Sequence, residues 1–262
     1  MNVPYETAQI PANLEAIDRD AMPVYARATD YPAGHDIAPH SHAKGQLIHA
    51  VHGVMVVAAD GGQWIVPPTR GLWMPAHVVH AIRCIGVVRM RCLWVQPELA
   101  RPLPEQPRTV GISPLLRELI LAATEIAMPY EEDSRAGRLM RLALDELEAL
   151  PALPLHLPQP VDARLKRICA HLAKRPDDDS TLAHWAERLG VDAKTIQRLF
   201  ARETGMTFGQ WRQQARLLHG LERLAVGDKV VDVALALGYD SPSAFAAMFK
   251  RQFGEPPSAF YR

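Results

Sequence analysis

The back half of this chain repeats itself, and no other feature constrains its fold as tightly. One segment reads LAHWAERLGVDAKTIQRLFARETG and a later one reads VVDVALALGYDSPSAFAAMFKRQFG, with Phe200 of the first answering Phe249 of the second. Each opens with a short apolar-periodic stretch ending in Ala-x-x-Leu-Gly, at Ala186–Gly190 and Ala234–Gly238. Each then breaks and resumes as a second periodic stretch that closes on glycine, Gly205 or Gly254. A helix stopped by glycine, a turn and a second helix is the layout of a helix-turn-helix. In the first copy Leu182, Trp185, Ala186 and Leu189 fall on one face, and Ile196, Leu199 and Phe200 on the buried face of the next helix. Lys194, Thr195, Gln197, Arg198 and Arg202 occupy the opposite arc, with side chains that hydrogen-bond bases and phosphates.

The matching arc of the second copy is Ser243, Ala244 and Ala247, with Lys250 and Arg251 further on. Alanine touches a thymine methyl but reads no donor–acceptor pattern. Direct readout is therefore expected mainly from the first motif, and phosphate contacts from Ser243, Lys250 and Arg251. The helix joining the copies, expected over 207–226, spans roughly 30 Å. Successive major-groove faces of double-stranded DNA lie roughly 34 Å apart. One chain is thus expected to present two helices to adjacent major grooves.

The front half has a different texture. From Val24 to about Glu98, short apolar runs are punctuated by glycine and proline, and Asp60-Gly61-Gly62 is a hairpin signal, so a small barrel or sandwich of short strands is expected. Helical periods follow over 113–127, begun by Ser113-Pro114, and over 134–150. Their apolar stripes are expected to form a dimer face, with packing on their own barrel as the alternative. Residues 151–160, PALPLHLPQP, hold four prolines and read as a stiff extended linker. The expected organisation is an α+β chain of two domains. It comprises a loose arm over 1–20, a barrel domain with helices over 21–150, the linker, and an all-α domain over 161–262. The two motifs of that last domain cover about 181–203 and 230–253.

Charge agrees with this division. Residues 1–160 hold 13 Lys and Arg against 17 Asp and Glu; the remainder hold 16 against 12. The mildly basic back half suits a phosphate-facing surface, while a net charge of zero excludes an indiscriminate polybasic binder. Three cysteines without CxxC spacing exclude a disulfide framework. The first twenty residues lack the apolar core of a secretion signal, and no apolar run reaches the length of a membrane span. A cytoplasmic location away from membranes is expected.

Residues 162–262 resemble the DNA-binding domain of AraC/XylS-type transcriptional regulators. The resemblance rests on Arg198-Leu199-Phe200, Glu203-Thr204-Gly205, Trp211-Arg212, Arg216-Leu217, Val233-Ala234, Gly238-Tyr239-Asp240-Ser241, Ser243-Ala244-Phe245, Phe249-Lys250, Phe253-Gly254, Pro257 and Tyr261-Arg262. It implies sequence-specific DNA binding through both motifs, transcriptional control as the output, and RNA polymerase as a partner if the protein activates.

Seven of the eleven histidines fall between residues 35 and 80. Gly34, His40, His42, Gln46 and Gly53 resemble the first motif of cupin barrels, with the glycines read as turns that close it. Pro75 to His80 resembles the second motif, with His77 where that motif has glycine. Many AraC-type regulators carry such a barrel as their sensor. The resemblance implies a pocket lined by His40, His42, Gln46 and His80, the positions at which metal-binding cupins have two His, a Glu and a His. Residues 40 and 42 are expected to point to one side of a strand, and His80 to come from a facing strand. Three imidazoles suit zinc, nickel or iron, while Gln46 removes the carboxylate. Otherwise they line a metal-free pocket for a small-molecule effector. Trp64, Trp73 and Trp94 read as strand packing. A metal-dependent cupin enzyme with a helical appendage is the rival to a ligand-controlled regulator, and Gln46 counts against it.

Overall fold

The computed structural model describes residues 12–148, 152–153, 156–253 and 256–258. In chain order these form α1 (Ala12–Arg19), β1 (Val24–Tyr31), β2 (Asp36–His40), β3 (Gly45–Ala59), β4 (Gly62–Val66), β5 (Arg70–Met74) and β6 (His80–Val95). Then come β7 (Arg108–Gly111), α2 (Pro114–Thr124), α3 (Arg135–Glu148), β8 (Ala152–Leu153) and β9 (His156–Pro158). Six helices complete the chain: α4 (Ala163–Lys174), α5 (Leu182–Leu189), α6 (Ala193–Thr204), α7 (Phe208–Ala225), α8 (Val230–Ala236) and α9 (Pro242–Phe253). Contacts divide the chain into two units. The first runs to Asp60 and resumes over Trp64–His156; the second takes Gly61–Gln63 and everything from Leu157.

Two long antiparallel strands organise the first unit. β3 pairs with β6 from Gly45↔Val95 to Ala59↔His80. β1 and β2 share the other edge of β6, and β5 then β7 extend the sheet beyond β3. The sequence breaks β3 into two runs at Gly53, yet it is one strand of 15 residues. Its register against β6 shifts on both sides of His52, and Gly53 has φ of 80°. A Cβ there would collide with the Val87 carbonyl. Gly53 therefore marks a β-bulge inside a strand, not a closing turn. Burial records its effect: Ile48 and Ala50 face the inner core before it, Met55, Val57 and Ala59 after it. The extra residue switches even to odd, so a bending strand keeps its apolar side inward.

On the outer side Val24, Ala26, Leu47, Leu93 and Val95 meet Leu116, Ile120 and Ala123 of α2 and Met140, Ala143 and Leu147 of α3. Leu93-Trp94-Val95 is thus buried on both faces, which explains its unbroken apolar run. The stripes of α2 and α3 pack on their own sheet, while Leu115 and Leu142 stay exposed. Ser113 caps α2 by accepting the Leu116 N–H, with Pro114 in the first turn.

Two boundaries differ from the sequence expectation. The arm over 1–20 is not loose where it is described. Residues 12–19 are helical, Ile17 is fully buried in the inner core, and Asp18 accepts the Ala43 N–H. Residues 1–11 lie outside the described residues. Within 151–160 the described residues are bonded, each end within its own unit. Thr109↔Leu153 and Val110↔Ala152 pair β8 with β7, and the Pro158 carbonyl accepts the Trp211 indole N–H at 2.8 Å.

The second unit follows its sequence periodicity helix by helix. Asp162, Thr181, Asp192 and Thr207 cap α4 to α7 with their side chains. Gly190 and Gly238 hold the equivalent turn of each motif at φ of 64° and 73°, a left-handed conformation that glycine adopts without strain. Past α9, Pro257 and Ser258 form a turn.

Ile17→Ala is expected to destabilise the first unit by about 2–5 kcal/mol, the range for emptying a buried aliphatic site. Urea unfolding followed by tryptophan fluorescence checks this, and an unchanged midpoint would mean that α1 contributes nothing to the core.

Candidate functional site

α6 displays the arc that the sequence assigned to it. Ile196, Leu199 and Phe200 are buried, whereas Lys194, Gln197, Arg198 and Arg202 are exposed and Thr195 is half-buried. Arg202 is also tied at 3.0 Å to Glu203, which accepts the N–H groups of Val161 and Asp162, each at 2.9 Å. Glu203 therefore clamps the start of α4 onto the end of α6, and these backbone bonds hold its carboxyl below the usual range. On α9, Phe245, Met248 and Phe249 are buried, and Ser243, Ala244, Ala247, Lys250 and Arg251 are exposed.

Sequence reasoning missed a third feature of this unit, the arginines of α7. Arg216 donates to the carbonyls of Pro176 at 2.6 Å and Asp178 at 3.0 Å, and Arg212 to that of Ser180 at 3.1 Å. In the sequence both stand out only within the family resemblance. Their i, i+4 spacing, which puts them on one helix face, was the available signal.

In the first unit His40, His42 and His80 converge and are all buried, with their candidate ligand nitrogens within 4.8 Å of one another. Two expectations about their placement fail. His42 lies in the loop after β2, so strand alternation does not align it with His40. His80 opens β6 and is the direct pairing partner of His40, so it comes from the adjacent strand, not a facing one.

Hydrogen bonding fixes how these rings are protonated. Nδ1 of His40 lies 2.8 Å from the Ala38 carbonyl, that of His42 2.6 Å from the Lys44 carbonyl, and that of His80 2.9 Å from the Val78 carbonyl. Carbonyls only accept, so each Nδ1 carries a proton and donates it. Burial lowers all three pKa values, that of His80 to about 3, so the rings are neutral, and Nε2 of His40 and of His80 holds a lone pair. His42 Nε2 lies 2.8 Å from Gln46 Oε1, an acceptor, so a neutral His42 that donates from Nδ1 requires the Gln46 amide turned to present its NH2, while the buried His80 Nε2 has no hydrogen-bond partner.

Beside the cluster lies a cavity of about 50 Å³, lined by Ile17, Arg27, Tyr31, His40, Gln46 and Trp94 among others. Drug-sized ligand sites are typically about 300–1,000 Å³, so this one suits an ion with a few waters or a very small molecule. The loop bearing His42 also holds α1. Lys44, 1% exposed, donates through Nζ to the Asp20 carbonyl at 2.7 Å. Trp64 and Trp73 are buried packing residues, and Trp94 borders the cavity.

The cluster fits a divalent metal in donor chemistry. Three neutral imidazoles face one another, and each Nδ1–H is held by a carbonyl, as in histidines that ligate metal. Tetrahedral zinc with bonds of about 2.0–2.1 Å needs nitrogens about 3.3 Å apart, so the set would have to contract.

Comparison with known proteins follows the same division. Residues 23–189, more than half of the chain, match the AraC-like ligand binding domain family, and residues 185–262 match a helix-turn-helix domain family. The chain is 36% identical over 221 residues to the HTH-type transcriptional regulator NimR of Escherichia coli K12, covering 84% of this chain and 81% of that one. It is 31% identical over 109 residues to the regulator RipA of Corynebacterium diphtheriae, covering 42% and 32%. ToxT from Vibrio cholerae O395 aligns in structure over 91% of this chain and 97% of its own, with 10% identity and a TM-score of 0.39. That score is too low to add to the sequence matches. Among the described residues no helix is long and apolar enough to cross a membrane.

One pH dependence follows from His49 on β3. It is fully buried, donates from Nδ1 to the Arg70 carbonyl, and burial pushes its pKa to about 4. The unfolded chain binds this proton near pH 6.5 and the folded chain only near 4. The stability contributed by a neutral His49 is thus complete above about pH 6.5 and is lost as pH falls toward 4. The urea midpoint should drop over this window, and less steeply in His49→Met. A midpoint flat from pH 7 to 4.5 would contradict burial of a neutral ring.

Proposed function

The chain belongs to the AraC family of DNA-binding transcriptional regulators, and from that premise we propose how its two units divide the work. α6 reads base edges through Gln197 and Arg198, with Lys194, Thr195 and Arg202 on the flanking bases and phosphates. α9 follows the next major groove with Ser243, Lys250 and Arg251 on the backbone, while Ala244 and Ala247 offer only apolar contact. The observation that carries this reading is the pair of exposed polar arcs at the same point of two repeated motifs. α7, 18 residues or roughly 27 Å long, joins those motifs. The protein acts in the cytoplasm, where its target lies, and as a homodimer through the face of α2 and α3 that leaves Leu115 and Leu142 exposed.

The barrel-like unit serves as the sensor, not as a catalyst. Its occupant binds at His40, His42 and His80 beside Gln46, and a divalent metal (zinc, nickel or iron) suits the three neutral nitrogens best. Bound there, the ion would link β2, the loop before β3 and β6. The orphaned His80 Nε2 supports this, since a buried polar atom without a partner costs about 1–3 kcal/mol. A small-molecule effector that accepts the same contacts is the second form of the reading.

Selection of genomic fragments by the full-length protein should recover a preferred sequence. Arg198→Ala and Gln197→Ala should each weaken binding to it by about 1–3 kcal/mol and relax the preference at the base they contact. Unaltered affinity and preference in Arg198→Ala would remove α6 as the reading helix. Protein purified without a nickel column should contain up to one metal per chain, lost in His80→Ala. Elemental analysis finding none, with no heat on titrating zinc, nickel or iron, would reduce the cluster to a metal-free pocket.

A further inference from the structure

α7 and α9 enclose a second concavity, of about 430 Å³, within the DNA-binding unit. Gly209, Arg212 and Arg216 face it from α7, and Ala244, Ala247 and Arg251 from α9. Their spacings of three, four and seven residues put each trio on one helix face. Tyr239, just before α9, completes the wall, and no acidic residue lines it. Among the described residues none of the three arginines makes an ion pair, although Asp177 and Asp179 act on Arg216 from the loop between α4 and α5.

The charges share one space. Burial lowers the Arg216 pKa and the like charge of Arg212 lowers it further, while Arg216 and Arg251 both act on the Tyr239 phenol, which burial raises. Two of the three are also held in place. Arg216 is fixed by two carbonyls, and Arg212 by one carbonyl and by the Phe208 ring 5.2 Å from its guanidinium carbon. A guanidinium has five N–H donors, so each retains several for a ligand. Packing like charges together is unfavourable and only partly offset by Asp177 and Asp179, and holding them in advance lowers the entropic cost of gripping an anion.

The alanines of α9 now acquire a physical role. At the centre of a reading face they contribute no hydrogen bond, but their small size is what leaves the cleft open between Arg212 and Arg251. We propose that this cleft grips the DNA backbone: Arg212, Arg216 and Arg251 clamp phosphodiester groups of one strand across the floor made by Ala244 and Ala247. The proposal rests on the DNA-binding reading and adds α7 to the interface. It makes the second motif a backbone clamp that reads no bases of its own.

The test uses the full-length chain, a fluorescent random-sequence duplex and the duplex recovered by selection. Arg212→Gln and Arg251→Gln should each make the slope of log affinity against log salt shallower by about 0.9. Raising salt fourfold then costs each variant roughly threefold less affinity than the wild type loses. Base preference should not change. Arg251→Lys should keep the wild-type slope, and Ala247→Glu, which puts a carboxylate on the floor, should weaken both duplexes. Arg216 is left intact because two of its bonds hold the loop before α5; Arg212 gives that loop one, and thermal melts confirm that the Arg212 and Arg251 variants fold.

If the wild type binds DNA and both glutamine variants keep its slope, the clamp is wrong while the DNA-binding reading stands. If the wild type binds no DNA, that reading and the clamp fail together. Inorganic phosphate titrated into the DNA-free chain separates a free anion from the duplex. Micromolar binding abolished by Arg212→Gln, with an unchanged DNA slope, would assign the cleft to a soluble phosphate ligand and overturn the clamp.

Discussion

The ladder between β3 and β6 holds up the first unit. It supplies both faces of the sheet at once, the inner face with Ile48, Met55, Ile82 and Trp94, and the outer with Leu47, Leu93 and Val95. The outer residues seat α2 and α3; the inner ones enclose the histidines. Its two ends also set the candidate site, because Gln46 is the second residue of β3 and His80 opens β6, where β2 brings in His40. The bulge at Gly53 makes this possible. Without it a strand this long would turn half of its apolar side chains outward after His52.

The same bulge explains what the sequence concealed. A glycine between two apolar runs signals a turn when only neighbours are considered, and the registers that identify a bulge involve Ile85 to Arg89 across the sheet. α1 was hidden for a related reason. A helix of eight residues that buries Ile17 has too few turns to show a period, and the residue it meets in sequence is not the residue it meets in space. The proline-rich segment was legible as extended backbone. Its pairing partners, Thr109 and Val110 at one end and Trp211 at the other, lie far away in the chain. By contrast the second unit was legible almost throughout, because caps, glycine stops and apolar period are all local signals.

The site residues divide in the same way. The α6 arc could be read from spacing alone, since a helix that buries Ile196, Leu199 and Phe200 must expose Gln197 and Arg198. The histidine cluster could be read as a group but not as a geometry. Two carbonyl-bound rings flank a strand pairing, and the third hangs from a loop fastened to α1 through Lys44 and Ala43. Glu203 conveyed no function in sequence. In the structure it anchors α4 through two backbone N–H groups, so its family resemblance reflects architecture and not recognition.

Buried imidazoles are a poor way to fill a barrel unless something uses them. Here His40, His42, His49 and His80 are all neutral, and all four Nδ1 protons are spent on carbonyls. What differs is the other nitrogen. His49 Nε2 has no hydrogen-bond partner and, among the described residues, belongs to no cluster of candidate ligands, and its neutrality avoids a buried charge. The other three rings converge, one nitrogen of each within 4.8 Å of the others, beside a cavity too small for most metabolites, and His80 Nε2 has no partner. The surrounding carbonyls hold the rings in this orientation, because a flip would leave those carbonyls without donors. His80 Nε2, buried and without a hydrogen-bond partner, calls for an electron-pair acceptor beside it. A cation, or a ligand or water donating N–H or O–H groups, meets that condition, and an apolar or purely accepting molecule does not.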